Sequence, residues 1–131
     1  MQLLRLGKGQ WEVLAVPQMM EDLCNASVAH QGSINSMLSL LKETVPRHGP
    51  QKKNRDVCKH LKGYEGHLWQ FRKQPRGKKL RVVFFEDGDR VLVCTAAFAK
   101  ADATPDLTSS LNCRDEYFRA KGKGQLKIDD L

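Results

Sequence analysis

Residues 80–98 hold two apolar, β-rich runs, LRVVFF (80–85) and RVLVCTAAF (90–98), separated only by EDGD (86–89). An Asp-Gly pair between such runs is a strong local hairpin signal, because glycine accepts the positive φ a tight turn demands. The spacing predicts a two-residue turn at Asp87–Gly88, which sets Arg81 opposite Cys94 and Val83 opposite Leu92. LRVVFF is apolar at successive positions apart from Arg81, so the strand needs cover over most of both faces.

A further strand is expected near His67–Arg72, in LKGYEGHLWQFR (61–72), joined to LRVVFF through KQPRGKK (73–79). Pairing that is symmetric about Arg76 and Gly77 sets Arg72 directly opposite Arg81, on one face with Gln70, Val83 and Cys94. Like charges directly opposite each other are destabilising, so the register asks for an anion lying across them. Paired guanidiniums suit a phosphate: their planar forks donate in pairs to its oxygens and stay charged at any relevant pH. Two other arrangements remain open, with one arginine turned to solvent or each paired with a helix carboxylate. Lys100 has the same parity but lies six residues beyond Cys94, so only a bend or bulge would bring it near Arg81.

The net charge of +7 is unevenly placed. From Arg47 to Arg81 twelve Lys and Arg face only Asp56 and Glu65, a balance of +10 over 35 residues that leaves −3 for the rest. Such a segment points to a polyanion, nucleic acid first, with a solvated basic face or an acidic protein partner as alternatives. RNA can be cut without a metal, because the ribose 2′-hydroxyl is itself the nucleophile. The protein then supplies a base, charge stabilisation and an acid. His60 and His67 flank the arginine strand and belong to the residue type that titrates near neutrality. Lys59, Lys62, Lys78 and Lys79 are candidate RNA-binding cations, and Lys100 a candidate charge stabiliser. Metal-ligand spacing and a phosphate-binding glycine loop are both absent, so no cofactor is expected.

Elsewhere, WEVLAVP (11–17) reads as a first strand, and Pro17 opens a helix running to about residue 29. Ser33 is placed to cap a second helix, INSMLSLLKETV (34–45), ending before Pro46. Residues 46–55 form a polar connector, and a last helix spans roughly 105–120. The glycines of KGKGQLKIDDL suggest fraying beyond it. The order predicts an α+β fold: two N-terminal helices packed on one face of a mainly antiparallel sheet, a three-stranded meander and a short C-terminal helix. A single domain over 1–120 with a flexible tail at 121–131 fits the length. Cys24, Cys58, Cys94 and Cys113 are widely spaced and read as reduced thiols. No run is long enough to span a membrane, and the N-terminus lacks a signal-peptide pattern, so a cytoplasmic location is expected.

With these segments in place, the chain resembles the RelE superfamily of toxin–antitoxin toxins, and within it the HigB and phage Gp49-like branch. The resemblance is carried by LKGYEGHLWQFR, LRVVFFEDGDRVLV (80–93) and AAFAKADATP (96–105). It matches the branch at Leu61, Gly63, Leu68, Trp69, Arg72, Arg81, Val82, Phe84, Gly88, Phe98, Lys100, Thr104 and Pro105. It implies mRNA cleavage on translating ribosomes, restrained by a tightly bound antitoxin that is often a helix-turn-helix DNA-binding protein. By position, Arg81 would hold the scissile phosphate, Arg72 and Lys100 would be basic site residues, and Tyr117 would correspond loosely to a functional aromatic in the final helix. The family's paired lysines are Lys100–Ala101 here, and the glutamate of its strand motif is Gln70. Two alternatives share the fold: a non-nucleolytic ParE-like toxin that inhibits gyrase by protein contact, and an inactive homologue that only binds its antitoxin.

Overall fold

In chain order, β1 (Gln2–Lys8) and β2 (Glu12–Ala15) lead into α1 (Pro17–Ala26) and α2 (Gln31–Ser39). Helix α2 continues through a π turn (Leu40–Thr44) into α3 (Val45–His48). Next come β3 (Cys58–His60), β4 (Trp69–Lys73), β5 (Lys79–Glu86) and β6 (Val91–Lys100), followed by α4 (Thr108–Gly122) and β7 (Lys127–Asp130). The structure is a computed structural model that describes residues 1–26, 31–64, 67–73, 79–88, 90–100 and 106–131.

The seven strands of the described residues join one sheet in the order β3-β4-β5-β6-β2-β1-β7. Strands β3 to β6 form an antiparallel meander, which adds β3 to the three strands expected. Strand β2 runs parallel to β6, β1 antiparallel to β2, and β7 parallel to β1. The result is a mixed α+β domain.

Every residue from Leu80 to Phe85 is buried, as an apolar run without alternation requires. Leu80, Val82 and Phe84 pack with Met19 and Leu23 of α1, Met37 of α2 and Val45 of α3. Val83 and Phe85 enter a second core with Leu14, Val93 and Tyr117 of α4. Helices therefore cover both faces, as the central strand requires: α1–α3 lie on the first and α4 on the second. Although its hydrophobic pattern is weak, α4 contributes Tyr117, Phe118 and Leu111 to the face that the N-terminal helices leave open.

Two expectations about the β5–β6 hairpin are corrected. The connection is longer than two residues, because Glu86 pairs with Leu92 and the Asp87 amide donates to the Val91 carbonyl at 2.9 Å. Gly88 and Arg90 both take positive φ, 58° and 76°. The Asp87 carboxylate accepts from the Tyr117 hydroxyl and the Lys121 ammonium, each at 2.6 Å, a tie to α4 that no local pattern displays. Further along, Val83 pairs with Ala96 but Phe84 with Cys94, leaving Thr95 as an extra residue in β6. Its hydroxyl donates to Ser110 of α4 at 2.9 Å. Longer turn and bulge together move the register by four residues, so Arg81 lies opposite Phe98 rather than Cys94. Cys94 falls in the core on the other face.

Ser33 does not cap the second helix; it lies inside α2 and is buried. Nor does Pro46 end it. The π turn lets the Val45 amide reach the Leu40 carbonyl, and Pro46, which has no N–H to place, begins a fresh turn. Gly49, at φ 84°, then terminates the helix. Strand β1 crosses this π turn so closely that a Cβ at Gly7 would lie 2.6 Å from Pro46 Cγ and 2.7 Å from the Lys42 carbonyl oxygen. Residues 27–30, the expected end of the first helix, and residues 101–105, the expected start of the last, lie outside the described residues. The tail does not fray at residues 127–130, which pair with β1 from Gln2 to Arg5.

Candidate functional site

Arg72 lies directly opposite Arg81 on the β4–β5 ladder, the register expected from symmetric pairing. Arg81 is only 1% exposed. One of its terminal nitrogens donates to the neighbouring Leu80 carbonyl at 3.1 Å, and its Nε is buried without a partner. Burial, and then the like charge of Arg72, push the Arg81 guanidinium below its ordinary pKa. Among the described residues, no carboxylate forms a salt bridge with either arginine. A buried cation without a counter-ion is costly, so the fold holds this group against its own solvation. Gln70, also buried, shares the face.

Arg72 is half-buried and turned toward the connector. Its guanidinium donates to the Arg55 carbonyl at 3.1 Å, its backbone amide donates to Val57 at 2.7 Å, and its Nε has no partner. This arrangement follows from the shortness of β3, whose pairing starts at Cys58 opposite Phe71. One residue further along β4, at Arg72, the connector borders the sheet instead.

A cleft of about 500 Å³ opens at this edge, walled by Lys52, Arg55, Lys59 and Arg72 around His60, Trp69 and Cys58. His60, exposed, meets the partly buried Trp69 edge-on with ring centres 3.8 Å apart. The Lys52 ammonium lies 4.3 Å from the centre of the indole ring and is ion-paired with Glu86. Burial pushes the Cys58 thiol up to about 12, so it remains protonated near neutral pH and is a poor nucleophile.

The fold thus brings together Arg72, His60 and Lys59, with Arg81 across the ladder from Arg72. His67 and Lys62 are exposed in the turn between β3 and β4 and do not line the cleft. Lys100 pairs by backbone with Lys79, two positions beyond the Arg81–Phe98 pair. The bulge at Thr95 and the longer turn supply the shift that Lys100 needed to approach Arg81. Lys78 lies outside the described residues, as do Thr104 and Pro105 of the resemblance. Tyr117 is not brought to the arginines: it is 2% exposed, rests edge-on against Phe85 at 5.3 Å and donates to Asp87. Lys52, Arg55 and Trp69 were not singled out as site residues. The density of cations across residues 47–81 was their signal, but a charge count cannot say which ones converge.

Among the described residues no three His, Cys, Asp or Glu cluster as metal ligands, and no helix is long and apolar enough to cross a membrane. Searches of curated proteins and of solved structures found no match. The family model for "Phage derived protein Gp49-like (DUF891)" matches residues 22–109, more than half of the chain. That span includes β3 to β6, with the arginine pair and the cleft. The chain belongs to this Gp49-like family, a toxin-like, phage-derived family of the RelE group, for which an antitoxin partner is implied.

Proposed function

We propose that the chain is the toxin of a toxin–antitoxin module and cleaves mRNA at translating ribosomes, restrained by a cognate antitoxin of the helix-turn-helix DNA-binding kind. The observation that carries this reading is Arg81, buried opposite Arg72 with its Nε unpartnered. An RNA phosphate would be the counter-ion that both guanidiniums lack. In the reaction the 2′-hydroxyl attacks the adjacent phosphorus and gives its proton to a base. The 5′-oxygen leaves with a proton from an acid, yielding a 2′,3′-cyclic phosphate and a 5′-hydroxyl end. Arg72 and Arg81 would stabilise the extra charge of the phosphorane. His60, in the cleft beside Arg72, is the candidate base. His67 lies outside the cleft and has the less direct claim. Lys100, by register next to the arginine pair, is the candidate cation at the leaving oxygen. The basic segment 47–81 would add salt-sensitive affinity for ribosomal RNA.

Primer extension on a reporter mRNA in a purified translation system tests the proposal, with wild type, Arg72→Ala and Arg81→Ala compared. The expected result is cuts within ribosome-bound codons by wild type and none by the variants. Intact mRNA despite growth arrest on expression would overturn it in favour of a protein-directed toxin. Intact mRNA without arrest would leave a chain that binds its antitoxin and does no more.

A further inference from the structure

We propose that the outer edge of β7 pairs with the same edge of a second copy of the chain, joining the two sheets about a two-fold axis at Ile128. The inference is independent of the nuclease reading. Within the described residues β7 ends the sheet, with β1 on its inner side and no strand on its outer side. The main contacts of β7 are with β1, whereas α4 lies chiefly over β5 and β6 and α1 chiefly over β6. The rim is therefore open to another strand.

Backbone phase fixes which groups face outward. The Lys127 amide donates to the Met1 carbonyl at 2.8 Å, and the Leu131 amide to the Arg5 carbonyl at 3.1 Å. Residues 127, 129 and 131 thus turn their backbone groups toward β1, and by alternation Ile128 and Asp130 turn theirs to the open side. A two-fold axis at Ile128 lets the two copies of that residue exchange both backbone hydrogen bonds.

The charges select the same axis. Lys127 and Asp129 lie on one face, two positions apart. Lys127 takes part in none of the salt bridges among the described residues, and the Asp129 carboxylate accepts from the neutral Gln2 amide. Asp130, by contrast, is already paired with Arg5 at 2.8 Å. An antiparallel copy centred on Ile128 sets Lys127 opposite the partner's Asp129, and Asp129 opposite the partner's Lys127. These are the non-hydrogen-bonded positions, where Cα atoms approach to ~4.5 Å and side chains are closest. An axis one residue on, at Asp129, would oppose like carboxylates and turn the central backbone groups away. Charges on an edge usually keep other strands off; with opposite signs on either side of Ile128, these admit their own copy.

The opposite rim, β3, is only three residues long. Joining it to β7 of another copy would be head-to-tail and open-ended, whereas β7 on β7 closes after two chains. Arg81 lies four strands away from β7, ~19 Å at the usual spacing and beyond the screening length of about 8 Å at physiological salt. The basic end of the sheet therefore does not oppose the pairing.

Sedimentation velocity of the purified chain over about a hundredfold range of concentration is the test. Expected is a rise from the one-chain mass of 14.9 kDa toward twice that value and no further. Amide hydrogen exchange should slow with concentration at Ile128 and Asp130 but stay constant at Lys127, whose amide is already bonded. Ile128→Pro removes the outward N–H, leaves the Lys127 bond to β1 in place and should abolish association. Lys127→Asp should weaken association about 10-fold. Lys127→Asp/Asp129→Lys should restore it, so that a variant that merely loses the strand is recognised. A chain that keeps its one-chain mass throughout overturns the proposal. So does association untouched by Ile128→Pro, which would place the contact on another surface, or growth beyond two copies, which would mean head-to-tail addition.

Discussion

Strand β5 has a polar cluster near each end, and the two are built in opposite ways. At the turn end Asp87 accepts from Tyr117 and from Lys121, both at 2.6 Å, and Tyr117 packs on Phe85. A buried hydroxyl is satisfied there, and the hairpin is fastened to α4. At the other end Arg81 is equally buried and faces another arginine, and among the described residues its guanidinium donates to the neighbouring Leu80 carbonyl. Among the described residues one cluster is complete and the other has no anion. Burial alone therefore does not separate a structural polar group from a functional one. Unmet bonding is the feature that singles out Arg81 as a candidate for an external anion.

The largest expected effect is on activity. Arg81→Ala should reduce mRNA cleavage by about 10²–10³-fold, the usual scale for one group that stabilises transition-state charge. Tyr117→Phe should leave cleavage within about twofold if its role is confined to the turn. Equal losses in the two variants, read by primer extension, would erase the contrast between the clusters.

Stability should move the opposite way. Arg81→Met, an apolar side chain of similar reach, is expected to raise unfolding free energy by about 1–3 kcal/mol, because it removes an unpaired buried charge. Tyr117→Phe should lower it by about 1–2 kcal/mol, since a hydrogen bond to a charged group is lost. Urea denaturation at neutral pH decides the point. A destabilised Arg81→Met would mean that an acidic group already compensates the guanidinium.

Alkaline pH offers a finer separation. Burial first, and then Asp87, push the Tyr117 hydroxyl above its ordinary value, while burial raises the Cys58 and Cys94 thiols. Groups whose pKa is raised by folding stabilise the native state fully below their unfolded pKa and less as pH rises beyond it. The fall should begin near pH 9 with the thiols and steepen near pH 10 with Tyr117, by about 1.4 kcal/mol per pH unit for each group. Tyr117→Phe should lose the added steepness above pH 10, whereas Arg81→Met should keep it. Urea midpoints measured from pH 8 to 10.5 would show an unchanged slope in Tyr117→Phe if the satisfied cluster is misassigned.

The smallest effect expected is at the bulge. Thr95→Val removes the hydroxyl that donates to Ser110 and should cost about 1 kcal/mol. If the bulge sets the position of Lys100 beside Arg81, cleavage should fall more than stability does. A proportionate fall in both would detach Lys100 from the site.

Much of the site's framework was legible beforehand because it is local. Two β-rich runs around a symmetric loop place Arg72 against Arg81, and the ladder has that register. The next hairpin was misread from a stronger motif, since EDGD satisfies a tight turn by itself while Asp87 is engaged by α4. Pro46 likewise reads as a helix stop, yet a π turn accommodates it against Gly7. Strands β1, β3 and β7 are short or interrupted by charge, and β7 is held by the ladder to β1 and by Arg5 bridging Glu12 and Asp130. Partners that distant leave no periodic trace.

The amino-acid sequence by itself determined the α+β class, the apolar central strand, the basic segment and the cross-strand arginines, all consequences of period-two patterning and of charges close together in the chain. Only the tertiary structure decided that the Arg81 Nε is enclosed without a partner among the described residues, that α4 covers the second face, that Lys52, Arg55 and His60 converge beside Trp69, and that residues 127–130 add an edge strand beside β1. Those features depend on contacts between segments far apart in the chain, where burial and geometry outweigh any local preference.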